Sequence, residues 1–187
     1  MNPLRRDIAE PIDGLLGANL TSVAYRPLQF ECSPDEIDDP AFYIGGEIVL
    51  RFDNGLSRYF SWAETGDFEC HFTLAVRDAS HFTEGTLEEI DASESRLWAD
   101  VIGRRLHRVK CFGWDGSPHV LELDFGSPTK LLGSSWRTRF GDADDVFFCD
   151  ASLSAGNLEG STLLWESTNG ERVADDQLPA RAESKSP

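Results

Sequence analysis

Basic residues are scarce in this chain, and their scarcity limits the partners that it can bind. The sequence holds 17 Lys and Arg against 33 Asp and Glu, a formal net charge of −16 at pH 7. Nucleic acids and anionic membrane surfaces are recognised through basic patches, so neither is an expected partner. The charge instead favours a basic protein, a cationic ligand or a metal ion, because opposite charges attract.

Sequence motifs for metal binding and catalysis are also missing. Cys32, Cys70, Cys111 and Cys149 form no Cys-x-x-Cys pair, and the four histidines have no zinc-type spacing. The run Ile44-Gly45-Gly46-Glu47 is not followed by the Lys-Ser/Thr of a phosphate-binding loop. We therefore expect no cofactor, no metal and four reduced, mostly buried cysteines, and the absence of a motif argues against an enzyme.

Long apolar segments are absent as well. No run approaches the ~20 apolar residues of a membrane-spanning helix, and the N-terminus lacks the basic and apolar regions of a secretory signal. These absences predict a cytoplasmic protein with no membrane partner.

What the chain does hold is one pattern that occurs twice. Each copy has an alternating apolar strand, a turn, a strand ending in Ser-Trp and a strand running into Asp-Ala-Ser. The first copy contains Ile48, Leu50, Phe52, Ser61-Trp62 and Asp78-Ala79-Ser80, and the second contains Leu121, Leu123, Phe125, Ser135-Trp136 and Asp150-Ala151-Ser152. Upstream of these, the spacing of Leu16-Gly17, Leu20 and Val23 recurs in Ile102-Gly103, Leu106 and Val109. The pattern predicts an internal duplication.

The repeated pattern predicts a mainly β fold with two short helices. Apolar residues at every second position place one face of each strand in a core, and Asp53-Asn54-Gly55 is typical of a tight hairpin turn. Residues 12–16 and 92–102 carry the helical patterns, each ended by a glycine. We expect two antiparallel four-stranded units packed as a sandwich or a partly open barrel.

The predicted domain is single and covers residues 12–173. It contains the two repeats, at about 12–80 and 97–152, and a C-terminal hairpin at 160–173. Residues 1–10 are interpreted as a loose lead-in. Residues 174–187 are polar without periodicity, which predicts a disordered tail.

Two acidic loops are the candidate partner-binding sites. Their carboxylates are Glu36, Asp38 and Asp39 in the first loop, and Asp142, Asp144 and Asp145 in the second. Such loops are usually solvated surface, and they can also meet a basic partner. The second loop has oxygen ligands for a hard cation, but it lacks the later Gly and terminal Glu of an EF-hand.

The chain resembles the immunity-protein class, the small acidic cytosolic proteins that accompany bacterial contact-dependent and polymorphic toxins. The resemblance lies in the runs Leu121-Glu122-Leu123-Asp124-Phe125-Gly126, Gly133-Ser134-Ser135-Trp136 and Gly141-Asp142-Ala143-Asp144-Asp145-Val146. It implies an inhibitor that blocks a basic enzyme by covering it with carboxylates, and it transfers no functional residue.

Three functions follow from these observations as hypotheses. The first is a non-enzymatic, acidic protein-binding module with a basic protein partner. The alternative is a small-ligand binder or hydrolase with its site in the cleft between the two halves. A structural homodimer joined through an open sheet edge is the third, so that both a monomer and a homodimer remain open.

Overall fold

A computed structural model describes residues 3–28, 41–65, 71–82, 88–134, 146–151, 158–168 and 171–174. These residues form one helix and twelve strands. In chain order they are α1 (Pro3–Asp13), β1 (Leu20–Pro27), β2 (Ala41–Ile44), β3 (Gly46–Phe52), β4 (Ser57–Thr65), β5 (His71–Arg77), β6 (Ile90–Asp91), β7 (Arg108–Trp114), β8 (Ser117–Asp124), β9 (Thr129–Ser134), β10 (Val146–Asp150), β11 (Thr162–Thr168) and β12 (Glu171–Ala174).

The strands form two antiparallel sheets, which confirms the predicted sandwich of two units. The first sheet has the order β5-β4-β3-β1-β6, and the second has the order β12-β11-β7-β8-β9-β10-β2. Their facing side chains share one hydrophobic core, because alternate residues of each strand point inward. Leu50, Phe52, Leu123 and Phe125, which the repeat places in the core, are all buried.

The two predicted copies have the same pairing register in the two sheets. Strands β1-β3-β4-β5 form a four-stranded meander in the first sheet, and β7-β8-β9-β10 form the same meander in the second. Val23 faces Leu50 and Tyr25 faces Ile48, whereas Val109 faces Leu123 and Cys111 faces Leu121. The spacing predicted from the sequence therefore corresponds to identical ladder positions.

Two ion pairs occupy equivalent positions in the two meanders. Arg58 faces Leu50 and pairs with Asp78 at 3.1 Å. Lys130 faces Leu123 and pairs with Asp150. The Asp-Ala-Ser landmarks of the sequence therefore begin with equivalent carboxylates.

The Ser-Trp landmark, in contrast, was aligned wrongly. Trp62 faces Leu74 in the first meander, and the residue at the same ladder position in the second is Ser134, which faces Val146. Trp136 lies two residues further on, outside the described residues. The length of the turn between the second and third strands differs between the copies, so matching by sequence spacing drifts there.

The two copies meet through reciprocal backbone hydrogen bonds. Gly17 N donates to Leu106 O at 2.8 Å, and Gly103 N donates to Leu20 O at 2.7 Å. Leu106 N donates to Ala18 O and Leu20 N donates to Arg104 O, both at 2.9 Å. Gly17 and Gly103 have φ angles of 84° and 78°, which favour glycine at the end of a helix or turn. The junction therefore has approximate twofold symmetry.

The residue between these bonds, Asn19, holds the carboxylate of Asp53. Asn19 donates to it from its backbone N at 2.9 Å and from Nδ2 at 2.6 Å. These two hydrogen bonds, and then the charge of Arg105, hold the pKa of Asp53 below its ordinary value of 3.8. A carboxyl whose pKa is lowered on folding stabilises the protein above its unfolded pKa, and this contribution is lost as the pH falls through the folded pKa.

We expect the stability advantage of the wild type over Asp53→Asn to be largest near neutral pH and to shrink below about pH 4. Urea unfolding of both proteins at several pH values between about 3 and 7 measures this difference. A difference in midpoint that does not change with pH would contradict the assigned role of the ionised carboxylate.

The sheets contain more strands than the predicted four in each unit. β2 follows β1 in sequence but pairs with β10 in the second sheet, and β6 precedes β7 but pairs with β1 in the first. The β11–β12 hairpin, which the sequence predicted, extends the second sheet beyond β7. One strand of the first copy and one strand of the connection between the copies therefore pair in the sheet of the other unit, which amphipathic patterning alone does not reveal.

The helix predictions were wrong in two places. Residues 92–102 form consecutive turns with mixed spacing, since Trp98 N donates to Ser95 O and Ala99 N donates to Ser95 O as well. Residues 1–10 were interpreted as a lead-in, but α1 begins at Pro3 and buries Ile8 and Ile12 in the core. The predicted disordered segment, 174–187, lies outside the described residues apart from Ala174, the last residue of β12.

Candidate functional site

The six predicted partner-binding carboxylates lie outside the described residues. Glu36, Asp38 and Asp39 fall between β1 and β2, and Asp142, Asp144 and Asp145 fall between β9 and β10. They remain predictions. The first gap ends at β2 and the second ends at β10, and these strands are paired antiparallel, with Ala41 facing Cys149 and Ile44 facing Val146. Both gaps therefore end at the β10–β2 edge of the second sheet, at opposite ends of the strand pair.

Carboxylates dominate the exposed charges of the described side chains. Ten acidic residues are exposed: Glu10, Asp53, Asp78, Glu88, Glu89, Asp91, Glu94, Asp100, Asp115 and Glu159. Three basic residues are exposed: Arg96, Arg104 and Arg105. The acids lie on several elements and turns, so no single loop accounts for the acidic surface. The described surface thus carries the imbalance seen in the whole sequence.

Most of the remaining cations are held in internal ion pairs. The pairs are Arg26–Glu47, Arg51–Glu89, Arg58–Asp78, Arg108–Asp124, Lys110–Glu122 and Lys130–Asp150. A cation that is paired within the fold contributes little to the field outside it, because the two charges cancel at a distance. Asp78, Glu89 and Asp100 are partners of these cations, which leaves seven other exposed acids against the three exposed guanidinium groups.

A buried carboxylate marks the outer face of the first sheet. Glu47 on β3 is fully buried, and its oxygens accept hydrogen bonds from Arg26 Nη1 at 3.1 Å, Ser80 Oγ at 2.7 Å and His81 N at 2.7 Å. Three donors, one of them charged, offset the loss of water around this group. Glu47 thereby fixes the segment that follows β5 over the sheet.

Arg77 lies near Glu47 on the same face. Its guanidinium donates from Nη1 to Ser61 Oγ on the neighbouring strand. Burial lowers the pKa of Arg77, and the nearby charge of Glu47 raises it in part. Glu47 is also paired with Arg26, so both guanidinium groups lie near the same carboxylate.

The second copy shows the same backbone positions filled by apolar or small residues. Arg26, Glu47, Ser61 and Arg77 correspond by ladder position to Phe112, Val120, Gly133 and Cys149. Val120 and Cys149 form a second apolar cluster with Trp114, Leu131 and Phe147. The meander therefore folds without charges at these four positions, and the polar residues of the first copy are not required by the architecture.

The described histidines and cysteines do not gather into a metal-ligating group. No group of three His, Cys, Asp or Glu able to hold a metal ion occurs in the part of the chain that the structure describes. Cys111 and Cys149 are buried thiols, as the sequence predicted, and Cys32 and Cys70 lie in the gaps. His119 is buried with Nδ1 3.5 Å from Ser134 Oγ.

Sequence reasoning missed the polar face of the first sheet. Glu47 was considered only as part of a possible phosphate loop, and Arg77 received no role. Aligning the two copies position by position would have found both residues, because Glu47 and Arg77 occupy the positions that Val120 and Cys149 occupy in the second copy.

Among the described residues no helix is long and apolar enough to cross a membrane. No protein-family model, curated protein or solved structure matches this chain.

Proposed function

We propose that this protein is a non-enzymatic binding module whose acidic surface contacts a basic protein partner. The observation that carries the proposal is the excess of exposed negative charge: apart from the partners of the ion pairs given above, the described surface exposes seven carboxylates and three guanidinium groups. Such a surface attracts a basic partner over a distance of about one Debye length, ~8 Å at physiological salt.

The contact is assigned to the two acidic loops. The segments that carry them end at β2 and at β10, which are paired at one edge of the second sheet. The six carboxylates precede these two strands in the sequence and supply negative charge for a basic active site or groove. The resemblance to the immunity-protein class supports the finer proposal that binding inhibits a basic enzyme by covering it.

Three triple variants test where the partner binds. The first is Glu36→Gln, Asp38→Asn and Asp39→Asn, and the second is Asp142→Asn, Asp144→Asn and Asp145→Asn. The matched control is Glu10→Gln, Asp115→Asn and Glu159→Gln, which removes the same number of exposed charges elsewhere. Each variant changes the net charge equally, so only the position of the lost carboxylates differs.

We expect the wild type to retain a basic protein from lysate of its source cells at about 50 mM salt and to release it at about 500 mM. With the purified partner, each loop variant should bind at least about tenfold more weakly, and the control should bind within about twofold of the wild type. Equal weakening by all three variants would refute the loop contact. Retention of no basic protein at low salt would refute the proposed function.

A further inference from the structure

Lys130 and two carboxylates form a charged cluster at the boundary of the hydrophobic core. The Lys130 side chain is fully buried, and its ammonium donates to Asp150 Oδ1 and to Asp100 Oδ2, the latter at 3.2 Å. Its Nζ also lies 3.0 Å from Asp100 Oδ1 and 6.0 Å from the centre of the Phe148 ring. Phe148 in turn stacks on Trp98. One buried amine nitrogen is therefore held against two acid groups and an aromatic wall.

The backbone places Lys130 directly beside Asp150. The two are opposite residues of the neighbouring antiparallel strands β9 and β10. Both side chains leave the sheet on the core side, because Leu132 and Phe148, two residues away on the same strands, belong to the main core. Holding two reacting groups in contact makes their reaction unimolecular, with effective molarities of about 10⁵–10⁸ M where the orientation is good.

The first copy pairs its charges without a reactive amine. Arg58 occupies the ladder position of Lys130 and forms its ion pair with Asp78. A guanidinium stays protonated in proteins, so it does not act as a nucleophile. An ion pair at this position therefore does not require a lysine.

The second acid is also particular to the second copy. Asp100 lies three residues before Gly103, and Gly14 lies three residues before Gly17. A Cβ at Gly14 would lie 3.6 Å from Nη2 of Arg58, so this backbone position adjoins the cation in both copies. The second copy thus has an amine and an additional carboxylate where the first copy has a guanidinium and a glycine.

We propose that Lys130 and Asp150 condense into an amide bond that joins β9 to β10 within the fold. The ammonium passes one proton to Asp150 through their hydrogen bond, and the free amine attacks Cγ of the resulting carboxyl group. Asp100 removes a second proton from the attacking nitrogen and gives it to the departing hydroxyl. The carbon–oxygen bond breaks, one water leaves, and the third proton stays on the amide nitrogen. Asp100 ends the reaction as the carboxylate that it was at the start.

The loss of charge from the core favours the product. A buried ammonium carries a desolvation cost that a neutral amide avoids. The ion pair precedes the bond, so newly folded protein contains the pair and protein stored at neutral pH contains the amide. The bond closes the chain segment from Lys130 to Asp150, which includes Asp142, Asp144 and Asp145 in sequence. The reaction does not depend on a basic partner, because none of its groups belongs to the acidic loops.

Intact-mass spectrometry of the full chain under reducing conditions tests the bond. We expect stored protein to be lighter than the mass of its sequence by one water molecule, and a protease digest to contain two peptides linked through Lys130 and Asp150. A succinimide at Asp13-Gly14 or Asp115-Gly116 would lose the same mass, but it links no two peptides. A mass equal to that of the sequence, or a loss of water without the linked peptides, would overturn the proposal.

Variants and an internal control separate the cluster from simple proximity. Lys130→Met should keep the full mass, because it has no amine to react. Asp100→Asn should form the linked peptides at least about tenfold more slowly, because a side-chain amide does not carry the proton. Lys110 and Glu122 are the control: they are also opposite residues of neighbouring strands, 2.8 Å apart, but both are partly exposed to water, and we expect no link between them. Loss of water from Lys130→Met, wild-type rates in Asp100→Asn, or an equal yield of a Lys110–Glu122 link would overturn the proposal.

Discussion

Replacing Trp98 with alanine is expected to lower the free energy of unfolding by about 3–5 kcal/mol. The indole is fully buried and stacks on the ring of Phe148 with centroids 3.5 Å apart. Its Nε1 donates to the hydroxyl of Tyr25 at 2.6 Å. Because Tyr25 belongs to the first sheet and Phe148 to the second, removing the indole opens a cavity between the two halves.

Urea unfolding of the variant measures this loss. Tyr25→Phe, which removes the acceptor and keeps the ring, should cost about 1–3 kcal/mol because the buried indole N–H is left unsatisfied. The neighbouring exposed residue supplies the control, since Ala99→Ser should change stability by no more than about 0.5 kcal/mol. A loss for Trp98→Ala no greater than that of Tyr25→Phe would show that the indole does not hold the sheets together.

The double substitution Asp100→Asn and Asp150→Asn is expected to cost about 3–5 kcal/mol. Lys130 is fully buried and contacts Asp100 at 3.0 Å as well as Asp150. Both carboxylates are 46% exposed, so water can stabilise them if the lysine is removed. The buried ammonium has no such access to water if the carboxylates are removed. The cost arises because a buried ammonium is left without a neutralising charge.

Adding Lys130→Met to the double variant should recover most of that stability, because an apolar chain of similar length no longer needs a counter-charge. Glu122→Gln is the control: it breaks the partly exposed Lys110–Glu122 pair and should cost about 0–1 kcal/mol. Equilibrium unfolding of the four proteins gives the comparison. A triple variant no more stable than the double would mean that the buried charge is not the source of the loss.

Much of the fold could be predicted from local patterns. Alternation at Leu50, Phe52, Leu123 and Phe125 predicted inward faces because the side-chain period of a strand is two residues, and all four are buried. The same spacing upstream of each copy corresponds to equal ladder positions in the two sheets; the duplication itself stays a prediction.

Other features depend on distant contacts that local patterns do not contain. β2 follows β1 in sequence but pairs with β10, more than a hundred residues away in the chain. Residues 92–102 have the apolar stripe of a helix, yet the segment forms a series of turns. Leu97, Trp98 and Val101 are buried even so. Tertiary packing decides the backbone there, because the intrinsic preference of so short a segment is weak.

The polar face of the first sheet could not be predicted for a different reason. Glu47 and Arg77 alternate with apolar neighbours, which is the ordinary pattern of a solvated strand face. Burial of Glu47 follows from Ser80 and His81 crossing over it, and that contact depends on the path of the chain after β5.

The exchange of hydrogen bonds around Gly17 and Gly103 has a consequence for assembly. Equivalent backbone N–H groups of each half donate to equivalent carbonyl oxygens of the other half, as in the interface of an isologous dimer. Two such subunits on separate chains would dissociate on dilution. Tethered within one polypeptide, they face each other at a high effective concentration, so their union does not depend on how much protein is present.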